Sequence, residues 1–328
     1  MSEISQTETK LRRDVPVVIA GSASYRLGEE IAWGLGGYVH PVKIERFADG
    51  EIGIELEASI RKRPVFIIQT IAAPLHDNLM ELILLIDACR RASAGEITVV
   101  VPYLAYSRQD RKAKPRVPIS AKAVARMIET AGADRLMTFD MHSGQVQGFY
   151  EIPCDNLPGA EVLAPVVAKT LVDPGSVCVV ATDVGGMYRA RQFAARLGND
   201  VALAVVDKRR ARANVVESAA VIGDVSGMSC ILVDDMIDTA GTLAAAAQAL
   251  RVAGATSVSA VATHGLFNGD AVRKIAGAGL NKLWLTDTLT LPDDVKGLRG
   301  VEVVSVAPLL VKVIKRVTEG DSLQEIYG

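Results

Sequence analysis

Short apolar runs rich in β-branched residues alternate along this chain with longer stretches of helical period. VPVVIAGS precedes RLGEEIAWGLGG, PVFIIQT precedes DNLMELILLIDACRRASA, and EITVVVPYL and RLMTFDMHS follow. Continuous apolar runs of about four to eight residues, separated by amphipathic helices, predict strands covered on both faces and therefore parallel. The pattern is that of an α/β protein.

The second half repeats the plan. VCVVATD followed by RARQFAARLG answers VVIAGS and its helix, which also ends in Leu-Gly. VALAVVDKRR answers VKIERFADGE, CILVDD answers PVFIIQT, SVSAVATHG answers ITVVVPY, and KLWLTD answers RLMTFD. Two similar α/β domains arising by duplication are expected. The boundary should lie between Asn156 and Ala164, where Pro158 and Gly159 interrupt the pattern. The expected division is a loose tail at 1–13, domains at 14–158 and 159–307, and a C-terminal helix and tail at 308–328. PLLVKVIKRVTEG has an amphipathic period and is expected to pack on the N-terminal domain.

Composition narrows the class. Of 328 residues, 49% are hydrophobic and 23% charged, enough for a substantial core. The net charge of -2, with both signs interspersed, argues against a general nucleic-acid binder. No apolar run reaches the roughly 18 residues that would cross a bilayer, so no membrane partner is expected. The polar start MSEISQTETKLRR does not read as a secretory signal. Cys89, Cys154, Cys178 and Cys230 form no CxxC pair. They read as reduced thiols, and a cytoplasmic location is expected.

The most informative stretch is VDDMIDTAGT, residues 233–242. Asp234 and Asp235 close a strand, and Asp238-Thr239-Ala240-Gly241-Thr242 turn into the helix TLAAAAQALRVAG. Ligands of open parallel sheets bind at the carboxyl ends of strands. Free N–H groups at the helix start, two Thr hydroxyls and the helix dipole favour an anion, and Gly241 permits close backbone approach. Two carboxylates beside an anion site are reconciled if the ligand is a sugar phosphate. The loop then takes the phosphate, and the acids take the sugar hydroxyls or a Mg²⁺ bound to them. Read alone, an acid pair at a strand end also fits a solvated turn.

Five other stretches carry chemistry. Phe47-Ala48-Asp49-Gly50-Glu51 flanks a turn with an aromatic ring and two acids, suited to a nucleobase face and edge, or to a hairpin with Phe47 in the core. Ser107-Arg108-Gln109-Asp110-Arg111-Lys112, with Lys114 and Arg116, is the densest basic run and follows a strand. It fits phosphate oxygens, or a solvated basic loop. His142 follows another strand, and Asp183 ends the matching strand of the second half. Lys208-Arg209-Arg210 leaves a strand and would by default be a solvated turn. His40, His76 and His264 read as structural or surface residues.

Taken together these strings resemble the ribose-phosphate diphosphokinase (PRPP synthetase) family, whose domains have the type I phosphoribosyltransferase fold. The resemblance runs from about Val17 to Thr318 and includes FADGEI, RASA, VPYLAYSRQDRK, PISAKAVARMIETAGADR, DMHSGQVQGFYEIPCDNL, VVDKRRARANV and ATHGLF in order. It implies two domains, each with a central, mainly parallel sheet flanked by helices. It implies that Asp234, Asp235, Asp238, Thr239, Ala240, Gly241 and Thr242 bind ribose 5-phosphate. Phe47, Asp49 and Glu51 would reach into a neighbouring subunit's ATP site, where Arg108 and Gln109 also bind ATP. His142 and Asp183 would attend Mg²⁺, although this chain has Ala181-Thr182 where the family has Ser-Pro. Lys208 and Arg210 would lie on a catalytic loop, stabilising charge on the migrating diphosphoryl group.

The implied reaction moves the diphosphoryl group of ATP to the 1-hydroxyl of D-ribose 5-phosphate. The implied assembly is at least a dimer, and a hexamer by resemblance. A phosphoribosyltransferase that consumes the product would need no ATP pocket. A catalytically silent regulatory relative would tend to lose the acid pair and the catalytic loop. The ending DSLQEIYG and the loop KAKPRVP, with Pro115, depart from strings the family uses in regulation, so phosphate activation and ADP inhibition are not readable.

Overall fold

The computed structural model describes residues 15–171, 176–198, 201–208 and 219–327. The chain divides into two compact units, Met1–Leu157 with Ala307–Gly328, and Pro158–Val306. In the first unit the strands are β1 (Val17–Ala20), β2 (Val42–Arg46), β3 (Ile52–Leu56), β4 (Val65–Ile68), β5 (Ile97–Val101), β6 (Arg135–Phe139) and β7 (Cys154–Leu157). In the second they are β8 (Val177–Ala181), β9 (Ala202–Lys208), β10 (Ala219–Ile222), β11 (Ser229–Ile237), β12 (Ser257–Gly265), β13 (Leu283–Thr286) and β14 (Val301–Val304).

The first sheet runs β1-β4-β5-β6-β7, all parallel. The second runs β10-β9-β8-β11-β12-β13-β14, parallel except for β10 against β9. The repeat read in the sequence is therefore a repeat of topology: β1, β4, β5, β6 and β7 recur in the same order as β8, β11, β12, β13 and β14. Every residue of β1, β4, β5 and β8 is buried, which explains their unbroken apolar runs.

One correspondence differs. β9 joins the second sheet beside β8, whereas β2 pairs only with β3 in a separate two-stranded sheet. A single bridge, Val18 to Val39, stands where a ladder would be. Val42, Ile44, Ile54 and Leu56 share one half-buried face of this hairpin, where β3 meets the helix Leu75–Arg91, while Lys43, Glu45 and Glu55 leave the other face polar and exposed.

Each face of the second sheet carries its own core. Cys178, Val180, Cys230 and Leu232 pack with the helix Gly241–Val252 on one side. Val177, Val179, Ala181, Ile231 and Val233 pack with the helices Ala160–Ala168 and Met187–Leu197 on the other. This is the alternation that a strand imposes. Cys178 and Cys230 face each other in register, and both are free and buried.

The helix after each half's last strand belongs to the other unit. Ala160–Ala168, following β7, packs in the second unit's core. Ala307–Glu319, following β14, belongs to the first unit and lies against the helix Tyr25–Gly34. The approach is close: a Cβ at Gly34 would sit 2.6 Å from Val311 Cγ2. The chain then turns into a short helix, Gln324–Tyr327, with Ile326 buried and Tyr327 Oη donating to Asp155 Oδ1 at 3.4 Å. Among the described residues no helix is long and apolar enough to cross a membrane.

Candidate functional site

The second unit has its topological switch point at β8 and β11. From β8 the chain moves outward to β9, and from β11 it moves the other way to β12. The crevice at the carboxyl ends of these two strands is the favoured ligand position of such sheets. The β8 ladder ends at Ala181 opposite Val233. β11 continues alone on that side for four residues, pairing with β12 as far as Ile237 opposite Gly265. The strand thus runs through the acid pair instead of stopping at it, and the step in the sheet leaves Asp234 half-buried beside the crevice.

Both carboxylates are anchored. Asp234 Oδ2 accepts from Thr182 Oγ1 at 2.7 Å, and its Oδ1 from Asp235 N at 2.9 Å. Asp235 is buried, its Oδ1 accepts from Met236 N at 3.0 Å, and its Oδ2 lies 3.8 Å from Arg189 Nη2. Burial raises the Asp234 carboxyl to about 7, with the hydrogen bond and charge of Asp235 adding to it and Thr182 and Arg189 opposing.

The loop beyond the pair is left-handed at Ala240, with φ +58° and the methyl buried. Gly241 then opens the helix. A Cβ placed on Gly241 would meet nothing nearer than Thr239 Oγ1 at 3.9 Å. The glycine leaves space in front of the loop without being required by packing behind it. Thr239 is exposed and Thr242 half-buried on this rim. Asp183, exposed after β8, accepts from Gly186 N at 2.9 Å and caps a short turn at Val184–Gly186.

The first unit carries a second cleft at the carboxyl ends of β5 and β6. Arg108, Gln109, Arg111, Lys114, His142 and Gln145 contribute to a cavity of about 630 Å³. Gln109 is fixed at the start of the helix Ser120–Ala131, accepting from Ser120 Oγ and, through its carbonyl, from Ala121 N at 3.3 Å. Asp140, at φ +30°, turns the chain after β6, and Met141 N donates to Asn156 Oδ1 at 2.9 Å. His142 is thereby left exposed on the cleft wall.

Phe47, Asp49 and Glu51 form the tip of the β2–β3 hairpin. Glu51 N donates to Asp49 Oδ1 at 3.1 Å, and Gly50 has φ +94°. Phe47 is 53% exposed, which removes the alternative that it fills the core. Arg46, the last residue of β2, ties the tip end of the hairpin to Asp77 at 2.9 Å. Lys208 ends β9, and its backbone lies opposite Ala219. Arg210 lies outside the described residues.

Among the described residues no group of three or more His, Cys, Asp or Glu side chains is placed to hold a metal ion. His142 and Asp183 belong to different units, and each offers a single donor group. That sparse donor set suits Mg²⁺, which keeps most of its shell as water and substrate phosphate.

Sequence reading passed over several partners. In the sequence Thr182 stands out only as a departure from the family's Ser-Pro, and Arg189 only as part of RARQFAARLG. The buried Glu81 accepts from Ser22 N at 2.6 Å, Ser22 Oγ at 2.7 Å and Gln69 Nε2 at 2.9 Å, fixing the turn after β1. Its position mid-helix in an apolar stretch was the one available signal.

The fold and the two clefts define a two-unit α/β protein with an acid pair and a left-handed loop at the strand ends of one unit and a basic cleft in the other. Similarity assigns the family. Residues 16–132 match the N-terminal domain of ribose phosphate pyrophosphokinase, and residues 212–328 match a phosphoribosyl synthetase-associated domain. The chain is 48% identical over 311 residues to a ribose-phosphate pyrophosphokinase of Wolinella succinogenes, covering 94% of this chain and 98% of that protein. It is 48% identical over 310 residues to that of Agrobacterium fabrum, covering 94% and 99%. The crystal structure of phosphoribosylpyrophosphate synthetase from Mycobacterium smegmatis superposes with a TM-score of 0.86 at 38% identity, covering 93% of this chain and 99% of that one. The chain belongs to the ribose-phosphate pyrophosphokinase family.

Proposed function

We propose that the protein transfers the diphosphoryl group of ATP to the 1-hydroxyl of D-ribose 5-phosphate, giving AMP and 5-phosphoribosyl 1-diphosphate. The observation that carries the reading is the adjacency of Asp234-Asp235 to the loop Asp238–Thr242 at the β8–β11 step. The carboxylates accept from the sugar hydroxyls, and the loop amides, Thr239 and Thr242 donate to the phosphate.

ATP is read into the first unit's cleft, where Arg108 and Gln109 bind it. Phe47 stacks on adenine and Asp49 and Glu51 bond its edge, in the site of a neighbouring subunit. The exposure of Phe47 on a hairpin that pairs only with itself supports that role. At least a dimer follows, and a hexamer by family resemblance.

Sugar O1 attacks the β-phosphorus, the bond from that phosphorus to the α–β bridging oxygen breaks, and the 1-hydroxyl proton is lost. His142 and Asp183 would hold Mg²⁺, which would neutralise phosphate charge. Lys208 and Arg210 stabilise the charge that grows on the migrating group. The residues bind and orient, and no covalent enzyme intermediate is needed. A cytoplasmic setting goes with the four free cysteines.

The test is product analysis with Mg²⁺, ATP and ribose 5-phosphate, with and without inorganic phosphate. AMP rising in step with phosphoribosyl diphosphate supports the reading. ADP in place of AMP would mean an ordinary kinase. No turnover from folded, oligomeric protein would favour a silent regulatory subunit.

A further inference from the structure

Three successive carbonyls, that of Ile237 at the end of β11 and those of Asp238 and Thr239 after it, are taken up by one segment outside the motif. Ile237 O accepts from the N–H groups of Leu266 and Phe267 at 2.9 and 3.1 Å. Asp238 O accepts from Asn268 N at 2.9 Å, and Asp238 Oδ1 from Asn268 Nδ2 at 2.7 Å. Thr239 O accepts from Lys274 Nζ at 3.1 Å.

A trans peptide is planar, with its N–H opposed to its C=O. The carbonyls of Asp238 and Thr239 face Asn268 and Lys274, so the N–H groups of Thr239 and Ala240, in the same two planes, face the other way. Ala240 is left-handed. Successive outward amides around such a residue form a concave donor set for an anion, here directly before a helix start. Asn268 is exposed and Lys274 half-buried, so neither contributes much to the core. Both spend their polar groups on the loop.

We propose that Asn268 and Lys274 are positioning residues for recognition of the sugar 5-phosphate, turning the loop's amides toward it from behind. Lys274 also brings an ammonium to the loop's rear face. The inference rests on the reading of Asp238–Thr242 as the phosphate loop.

The test compares Asn268→Ala, Lys274→Met and Lys274→Arg with Gly241→Ala, in the full-length protein with Mg²⁺. Asn268→Ala and Lys274→Met should raise KM for ribose 5-phosphate about tenfold, the scale of one or two lost hydrogen bonds. KM for ATP should move less than about twofold, Lys274→Arg should restore most of the loss, and the urea midpoint should hold. Unchanged ribose 5-phosphate KM in both variants, with Gly241→Ala impaired, overturns the positioning role and leaves the loop reading intact. Gly241→Ala and both variants behaving like the native protein removes the loop from phosphate binding and this inference with it. Equal losses for both substrates with a lowered urea midpoint would mean a structural role alone.

Discussion

Thr182 Oγ1 donates to Asp234 Oδ2 at 2.7 Å across the step where β8 ends and β11 continues. The threonine stabilises the ionised carboxylate against the burial and the Asp235 charge that raise it to about 7. If that carboxylate takes the sugar diol, KM for ribose 5-phosphate falls as pH rises through about 7. Thr182→Val should move the midpoint upward by about half to one pH unit, the scale of one lost hydrogen bond, while Thr182→Ser leaves it in place. The sugar phosphate's own second ionisation, near pH 6, is common to both proteins, so the difference between them isolates Asp234. Superimposable profiles for native protein and Thr182→Val would sink the assignment.

The same group bears on stability. Asp234 binds its proton more tightly in the folded chain than at its ordinary value of 3.8. Its stabilising contribution is therefore fully present below about pH 4 and is lost as pH rises through about 7. Asp234→Asn, neutral throughout, should be more stable than the native protein at about pH 8, by on the order of 2 kcal/mol. The gap should narrow toward pH 5. Urea unfolding of the ligand-free protein at the two pH values measures it, and a gap independent of pH contradicts it.

Gly241 separates binding from packing. With no neighbour nearer than 3.9 Å to an added Cβ, Gly241→Ala should keep the unfolding midpoint or raise it slightly, since Ala is the better helix former. The methyl would stand where the phosphate approaches, and KM for ribose 5-phosphate should rise about tenfold or more, against roughly 1.4 kcal/mol per tenfold. Thermal unfolding and substrate titration together decide it. A destabilised protein would place the constraint inside the fold instead.

If ATP sites are shared between subunits as proposed, complementation is expected. Phe47→Ala impairs the hairpin a subunit gives, and Arg108→Ala the cleft it keeps. Each alone should lose most activity, with little loss of stability because both residues are exposed. Mixed and reassembled, the two should recover activity, because some sites then receive an intact hairpin and an intact cleft. A mixture no more active than its parts argues for sites built within one subunit.

Lys208→Ala should lower turnover about a thousandfold, the scale of one lost transition-state donor, with ATP binding retained by calorimetry. Near-native turnover would remove the catalytic role.

Much of this was legible in the amino-acid sequence, for a local reason. Strands buried on both faces must be apolar throughout, so β1, β4, β5 and β8 announce themselves. The loop proposed for the phosphate is a contiguous string whose donors would be its own backbone, so VDDMIDTAGT carries that reading in one place. The duplication is likewise a matter of order along the chain. What the sequence left open depends on contacts between distant residues. Thr182 and Asp234 are 52 positions apart, and the parallel register of β8 on β11, with Ala181 opposite Val233, brings them together. Asn268 reaches Asp238 across 30 positions because β12 lies beside β11. β2 and VKIER looked like the counterpart of β9, yet only burial decides whether such a run joins a central sheet or stands apart as a hairpin. The exchange of closing helices between units is of the same kind. An amphipathic period says that a helix has a face to cover, while the choice of core is made by the packing of side chains far away in the chain.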